Sequence, residues 1–374
     1  NYIYDFDYFV YQERGEVGYN GLGNSYPNSD NNPTNVDYSV WVRSSSTTEI
    51  TGGEAQYTVN FPQETTCDVL IVGGGGAGGK DRAGGGGAGG LVFKQGLTLN
   101  GDYNIFVGNG GLINSSDGIA GGSGGDSIFD TYTALGGGGG GPERTNATSG
   151  GSGGGSAYSH SLSHYGDGLQ PASASGGFGN RGGDARNLSL TYTSRGAGGG
   201  GGAGGRGLEA TNSVGGAGGI GKSGVGSIDF KTHFGLGTNN LIGEYSASDN
   251  KVYFAGGGGS GDCGDGQPNP SIHGIGGKGG GRNGSTYADV LEVSMPNSGG
   301  GGGGGGTDDA GSNGCSGIVI IRYLVITGGI TTTPATGFLK YKSTGWVVEE
   351  DDTIQQLLQK VNLLEQKILI LEGV

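Results

Sequence analysis

The chain has 374 residues, 95 of them glycine and 9 proline, and its 20 Lys+Arg against 34 Asp+Glu give a formal charge of −14. It has no basic run, so it lacks the clustered cations that nucleic-acid phosphates or an anionic bilayer surface require, and no stretch of about 20 apolar residues is available to span a membrane. Glycine and proline together exceed a quarter of the chain, a range in which disorder is the default reading, so order must be argued from pattern.

The chain opens at Asn1 with no recognisable signal peptide, the expectation for a processed or partial chain. Residues 1–66 form a first region of strand-like, aromatic pieces with ordinary glycine content. Tyr2, Tyr4, Phe6, Tyr8 and Val10 share one face of an extended strand, while Asp5 and Asp7 face the other way. This strand is expected to stay in its own fold, the alternative being addition to a neighbour's sheet edge. A loop around 19–35 precedes two more strand patterns, Tyr38 to Arg43 and Gln56 to Phe61.

Residues 67–325 are the glycine-rich body, which is expected to be ordered because apolar strands bracket it. Asp68-Val69-Leu70-Ile71-Val72 leads into the first glycine run, and Ile318-Val319-Ile320-Ile321-Arg322-Tyr323 leaves the last. Short apolar pieces recur between them: Leu91 to Phe93, Tyr103 to Val107, Ser127 to Phe129, Ile228 to Phe230 and Val252 to Phe254. No Gly-X-Y period exists, which excludes a collagen triple helix. Runs such as Gly196 to Gly205 instead suit extended threefold helices packed side by side, with N–H and Cα–H groups of one bonded to carbonyls of the next. A Cβ facing a neighbour would hold them apart, and that is the physical need for glycine. Asn, Asp and Ser islands then form the turns.

Residues 326–352 hold a linker and a hairpin, Phe338 to Val348 with its turn near 343–345, and residues 353–374 a helix. Thr353 and Gln356 have capping-box spacing. Ile354, Val361 and Ile368 at a, with Leu357, Leu364 and Leu371 at d, form a coiled-coil seam. The g and e residues pair in a parallel arrangement as Lys360 with Glu365 and Lys367 with Glu372. Leu358, Leu363 and Ile370 widen the apolar face, and a trimer is expected; docking of the helix on the glycine body or a neighbour is the alternative. The fold class is therefore mainly β, with packed glycine helices between the strands and a helical C-terminus.

The opening Thr66-Cys67-Asp68-Val69-Leu70-Ile71-Val72 with its glycine run, the interior Ala255 to Gly261 run, and the exit Gly314-Cys315-Ser316-Gly317-Ile318-Val319-Ile320-Ile321-Arg322-Tyr323 resemble a glycine-rich domain of phage tail-fibre adhesins and of surface proteins of large algal viruses. The likeness covers about residues 52–325, and the hairpin followed by a helix is similar to short pieces of viral fibres. Residues 1–51 and the terminal helix match no part of that domain's pattern. The resemblance implies a polyglycine II sandwich displaying variable loops for receptor binding.

Several letter patterns mimic chemical sites. Gly73 to Gly78 follow a strand as a dinucleotide fingerprint would, yet no helix signal and no acid at the right distance follow. Gly216 to Ser223 spell a P-loop without its preceding strand or following helix. Asp126, in Gly121 to Phe129, and Asp308, in Gly303 to Gly311, match calcium nonapeptides weakly and without the tandem array that such sites need. His160, His164 and Asp167 lie in a Ser- and Gly-rich stretch that reads as a solvated loop, and with only His233 and His273 besides, no Ser/His/Asp or paired-carboxylate site stands out. Cys67, Cys263 and Cys315 have no CxxC spacing; two could pair and leave one free. Asn114, Asn146, Asn187 and Asn283 begin N-glycosylation sequons. No catalytic residue, metal or cofactor is expected. The expected function is a non-catalytic fibre or surface protein, on a virion or extracellular, whose partners are copies of itself and a host glycan or receptor, with a self-assembling extracellular filament as the other class.

Overall fold

The computed structural model describes residues 5–11, 17–19, 55–158, 164–187, 195–211, 214–238, 242–263, 273–285, 295, 297–325, 338–342 and 345–349. They fall in two units, Asp5–Val325 and a second that holds the terminal hairpin. The expected coiled-coil seam, the 38–43 strand and His160 lie outside the described residues.

The main unit is organised by one antiparallel sheet. Its strands are β1 (Asp5–Tyr11), β2 (Val17–Tyr19), β3 (Ala55–Val72), β4 (Leu91–Val107), β5 (Ser127–Phe129), β6 (Tyr132–Ala134) and β13 (Ile318–Val325), in the order β2-β1-β13-β3-β4-β5-β6. The two bracket strands pair with each other, Ile318 opposite Val72 and Arg322 opposite Asp68. Both faces of this central pair are covered. Leu70, Val72, Ile318 and Ile320 enter one apolar cluster, and Val69, Ile71, Val319 and Ile321 the other. Continuous apolar runs rather than alternation are what two-sided burial demands.

Three expectations change here. The boundary drawn between residues 66 and 67 falls inside β3, which runs unbroken from Ala55 to Val72; glycine content changes at that point, but the hydrogen-bonded ladder with β4 does not stop. The Asp5–Tyr11 strand does not form a separate fold, because it pairs with β13 along its whole length. The three cysteines are free and buried in different surroundings, so none is bridged. The Cys67 thiol bonds the Thr65 carbonyl, Cys263 the carbonyls of Arg82 and Gly261, and Cys315 that of Gly280.

From the sheet the chain enters the glycine body, where the hydrogen bonds repeat every three residues. The N–H groups of Gly73, Gly76 and Gly79 donate to Gly90, Gly87 and Gly84; those of Gly74 and Ala77 to Gly125 and Gly122; those of Gly75 and Gly78 to Cys315 and Ser312. Successive residues thus address three different neighbours, and each third residue returns to the same one, as an extended helix of three residues per turn requires. Neighbours run in either sense, since Gly85 and Ala88 donate to Gly198 and Gly201 in ascending order. Contact is so close that a Cβ on Gly75 would collide with the Gly300 carbonyl, and one on Gly78 with that of Gly303.

Where a carbonyl is missing, a side-chain oxygen takes its place. Ser127, Ser298, Ser312 and Ser285 accept from the N–H groups of Gly108, Gly300, Gly303 and Gly306. Gln170, fully buried, accepts from Leu135 N–H at 2.7 Å and donates to the carbonyls of Thr133 and Gly176 at 3.1 and 2.6 Å.

The cluster that takes in Leu70, Val72, Ile318 and Ile320 closes one face of the sheet. It is built from the hairpin β9 (Gly224–Val225) and β10 (Ile228–Asp229), the short helix α1 (Phe230–His233), and the hairpin β11 (Glu244–Ser246) and β12 (Lys251–Tyr253). The apolar piece Ile228 to Phe230 is strand only to Asp229, and the helix starts at Phe230, where the Asp229 carboxylate caps it by accepting from Thr232 N–H at 2.9 Å. That turn points Phe230 and Phe234 into a cluster with Phe93 and Phe254, each buried ring stabilising the fold by about 1.5–3 kcal/mol. In the second unit, β14 (Phe338–Lys342) and β15 (Gly345–Glu349) pair as the expected hairpin. The described chain is thus mainly β with little helix.

The packing predicts a sharp contrast between two glycines. A Cβ on Gly200 would lie within the Gly86 carbonyl, whereas one on Gly205 meets nothing nearer than the Ile220 Cγ2 at 3.3 Å. Gly200→Ala should lose about 3 kcal/mol or more, and Gly205→Ala less than about 1 kcal/mol, as measured by thermal unfolding. Gln170→Leu should cost at least about 2 kcal/mol by stranding three backbone groups, measured the same way.

Candidate functional site

The glycine segments have two unlike ends. One joins the sheet: Val72, Leu91, Val107, Ser127 and Ile318 are all points where a strand meets a glycine segment. The other end carries turns, described at residues 80–82, 112–120, 142–147 and 307–310. Tyr158 and Cys263 reach the same end, since Tyr158 N–H and the Cys263 thiol both bond the Arg82 carbonyl.

These turns are tied to one another. Lys80 Nζ lies 2.8 Å from Asp117 and donates to the Ser115 carbonyl at 3.0 Å, and the Asp117 carboxylate holds the lysine above its ordinary pKa. Asp81 accepts from Asp308 N–H at 3.0 Å and from Arg82 at 3.1 Å, while Arg82 also lies 3.8 Å from Glu143. Ile113 N–H donates to Asn313 Oδ1 at 2.7 Å and Thr145 Oγ1 to the Gly118 carbonyl at 3.2 Å. Asp81, Arg82, Arg144 and Asp308 all have φ between 46° and 65°, a strained conformation for side-chain-bearing residues that the surrounding contacts must hold. Leu112 and Ile119 project from this end, 70% and 51% exposed. Charged, amide and apolar groups therefore share one surface.

The sequence candidates separate rather than converge. Asp126 sits at the sheet end, where its carboxylate accepts from Gly136 N–H at 2.7 Å, and Asp308 is in a turn at the other end. No group of three or more metal-ligating residues forms among the described residues. His164 is exposed, its N–H bonded to Asn146 Oδ1 at 3.1 Å, and Asp167 N–H donates to Ser149. Of the sequons, Asn146 is exposed and Asn114 half-buried in turns of the loop end, Asn187 lies in the short strand β7 (Arg186–Asn187), which pairs with β8 (Arg195–Gly196), and the Asn283 Oδ1 accepts from Gly276 N–H at 2.8 Å.

The two nucleotide-like motifs are structural. Every N–H from Gly73 to Gly78 is already bonded to a neighbouring carbonyl, so none is left to cradle a pyrophosphate. In Gly216 to Ser223, the N–H groups of Gly216, Gly218, Gly219, Gly221 and Lys222 are likewise spent, and the Lys222 ammonium lies 4.0 Å from the Phe178 ring. Titration calorimetry with ATP or NAD should therefore give no saturable heat, and micromolar binding of either would overturn this assignment.

One polar cluster went unnoticed in the sequence. Asp68, His233 and Arg322 meet on the aromatic face of the sheet, with His233 Nε2 2.9 Å and Arg322 Nη1 3.6 Å from Asp68 Oδ2. A signal was present: pairing the two bracket motifs antiparallel sets Arg322 opposite Asp68.

A comparison with curated proteins found no match to the chain. A family model described as a glycine-rich domain matches residues 48–324, a span that takes in the sheet core from β3 to β13 and all the glycine segments between them. The chain belongs to the glycine-rich domain family.

Proposed function

We propose that this is a non-catalytic structural protein of a virus or phage surface, in which a polyglycine II body holds recognition loops away from its sheet and presents them to a host glycan or receptor. The observation that carries this reading is the segregation of the two ends: strands and aromatic clusters at one, cross-linked turns at the other. Turns fixed to a rigid scaffold lose little entropy on binding, and the Asn and Asp groups among them suit sugar hydroxyls. Residues 353–374 are the oligomerisation element, forming a parallel trimer through Ile354, Leu357, Val361, Leu364, Ile368 and Leu371.

A second reading, a laterally assembling extracellular filament, is favoured by one observation. Val214, Ala217 and Ile220 recur every third residue on one outer segment, flanked by Leu208 and Ile275 on its two bonded neighbours, and Leu208, Val214, Ile220 and Ile275 are exposed. Electron microscopy of the native assembly separates the readings, a discrete fibre on a particle supporting the first and an open helical polymer the second. Sedimentation of the full chain beside one ending at residue 352 should show a trimer becoming a monomer; an unchanged mass would refute the coiled coil.

A further inference from the structure

We propose that α1 is an acid-released clasp: protonation of His233 detaches the helix from the sheet and uncovers the apolar cluster of Phe93, Phe230 and Phe234. Three side chains from distant parts of the chain make the clasp. Asp68 and Arg322 are opposed on β3 and β13, and His233 reaches them from α1. Asp68 Oδ2 receives both His233 Nε2 and Arg322, while its Oδ1 is occupied by Gly96 N–H at 2.8 Å. One carboxylate is thus shared between two basic groups, all three side chains being under a fifth exposed.

The position of Arg322 decides the response. Its Nη1 lies 3.3 Å from both ring nitrogens of His233. In the ring plane such a point would collide with Cε1, so the guanidinium must lie over the ring face. A neutral imidazole accepts that neighbour, whereas an imidazolium would stack cation on cation beside the carboxylate they share. The other described groups around the ring are apolar or engaged elsewhere. Phe93 and Phe234 meet the His233 ring edge-on, and β12 contributes Val252 to the same cluster. Lys94 of β4 bonds the Ser175 carbonyl instead, Lys231 of α1 faces Tyr245 of β11, and the Asp229 carboxylate is spent on the helix cap.

Burial, and then Arg322, hold the His233 pKa below its ordinary 6.5, Asp68 opposing them. A depressed folded value means that the helix's share of stability is complete above 6.5 and is lost as the pH falls through the lowered value. The helix is short, and the chain on either side turns through Gly226 and Gly235 at φ 59° and 61°, so its release does not require the glycine body to open.

Amide hydrogen exchange of the full chain at pH 7.5 and 5.0, corrected for intrinsic rates, is the test. Opening of residues 230–236 should rise severalfold at the lower pH, and that of residues 73–79 should not change. His233→Gln, which stays neutral and keeps a donor for Asp68, should abolish the rise. Binding of an apolar dye at pH 5.0 should follow the same pattern. Equal opening at both pH values, or an equal rise in the variant, overturns the clasp. Should the variant misfold, the ring-proton titration of His233 in the unsubstituted protein decides: a midpoint below 6.5 supports the proposal and one at or above 6.5 refutes it.

Discussion

Each residue in the glycine body has one N–H and one carbonyl to place, and a threefold turn aims successive residues at three different neighbours. The body is held by satisfying that demand in all three directions at once, which is possible only if the backbones approach within hydrogen-bonding distance on every side. Glycine follows as a consequence of distance, since an added Cβ at most packed positions meets a neighbouring carbonyl. The cost is the large ordering entropy of glycine; the offset is a network in which no segment can leave without stranding the polar groups of several others.

The exceptions obey the same rule. Ala88, Ala203 and Ala255 are buried where the glycine segments meet the aromatic cluster, so their methyl groups face rings and aliphatic chains instead of another backbone. Buried serines occur where a neighbour's carbonyl is absent, as Ser298 and Ser312 show by accepting from Gly300 and Gly303. At these positions alanine marks contact with the core, and serine supplies an acceptor to a neighbouring N–H. Much of the Ser and Asn content that suggested turns is wiring inside the body.

The bracket strands could be read because their runs are apolar without alternation, and the need for glycine could be read because only backbone contact explains such runs. The single unit formed by β1, β3 and β13 could not. Composition changes at residue 67, but Cys67 continues a ladder that began at Ala55, and hydrogen bonding leaves no mark in composition. Helix α1 was missed because four residues carry no period; only Asp229 with Thr232, and Phe230 with Phe234, hinted at a capped turn. Asp126 and the glycine motifs spell chemical sites only as letters: their polar groups are consumed by neighbours from 10 residues away, as Gly136 for Asp126, to 240, as Cys315 for Gly75, and spacing along the chain does not reveal who those neighbours are. The cluster of Asp68, His233 and Arg322 joins residues 165 and 89 positions apart, so it emerges only once strand pairing is known.

The cysteines show what this kind of stability makes unnecessary. Burial pushes the thiols of Cys67 and Cys263 up to about 12, with the nearby carboxylates of Asp68 and Asp262 adding to the effect, so neither is a thiolate nucleophile near neutral pH. They act as small apolar groups, Cys67 in the sheet cluster and Cys263 beside Tyr158 and Ala197. Small domains exposed to solvent commonly rely on disulfides because their cores are too small to offset chain entropy. Here the cross-links are instead hydrogen bonds between segments far apart in sequence, Gly76 with Gly302 and Gly75 with Cys315 among them. Such bonds close long loops as a disulfide would, without depending on the redox state of the surroundings. A body built this way can hold its turns in place whether the medium is oxidising or reducing, and what remains sensitive to the medium is the side-chain chemistry attached to it, above all the single histidine pressed between a carboxylate and a guanidinium.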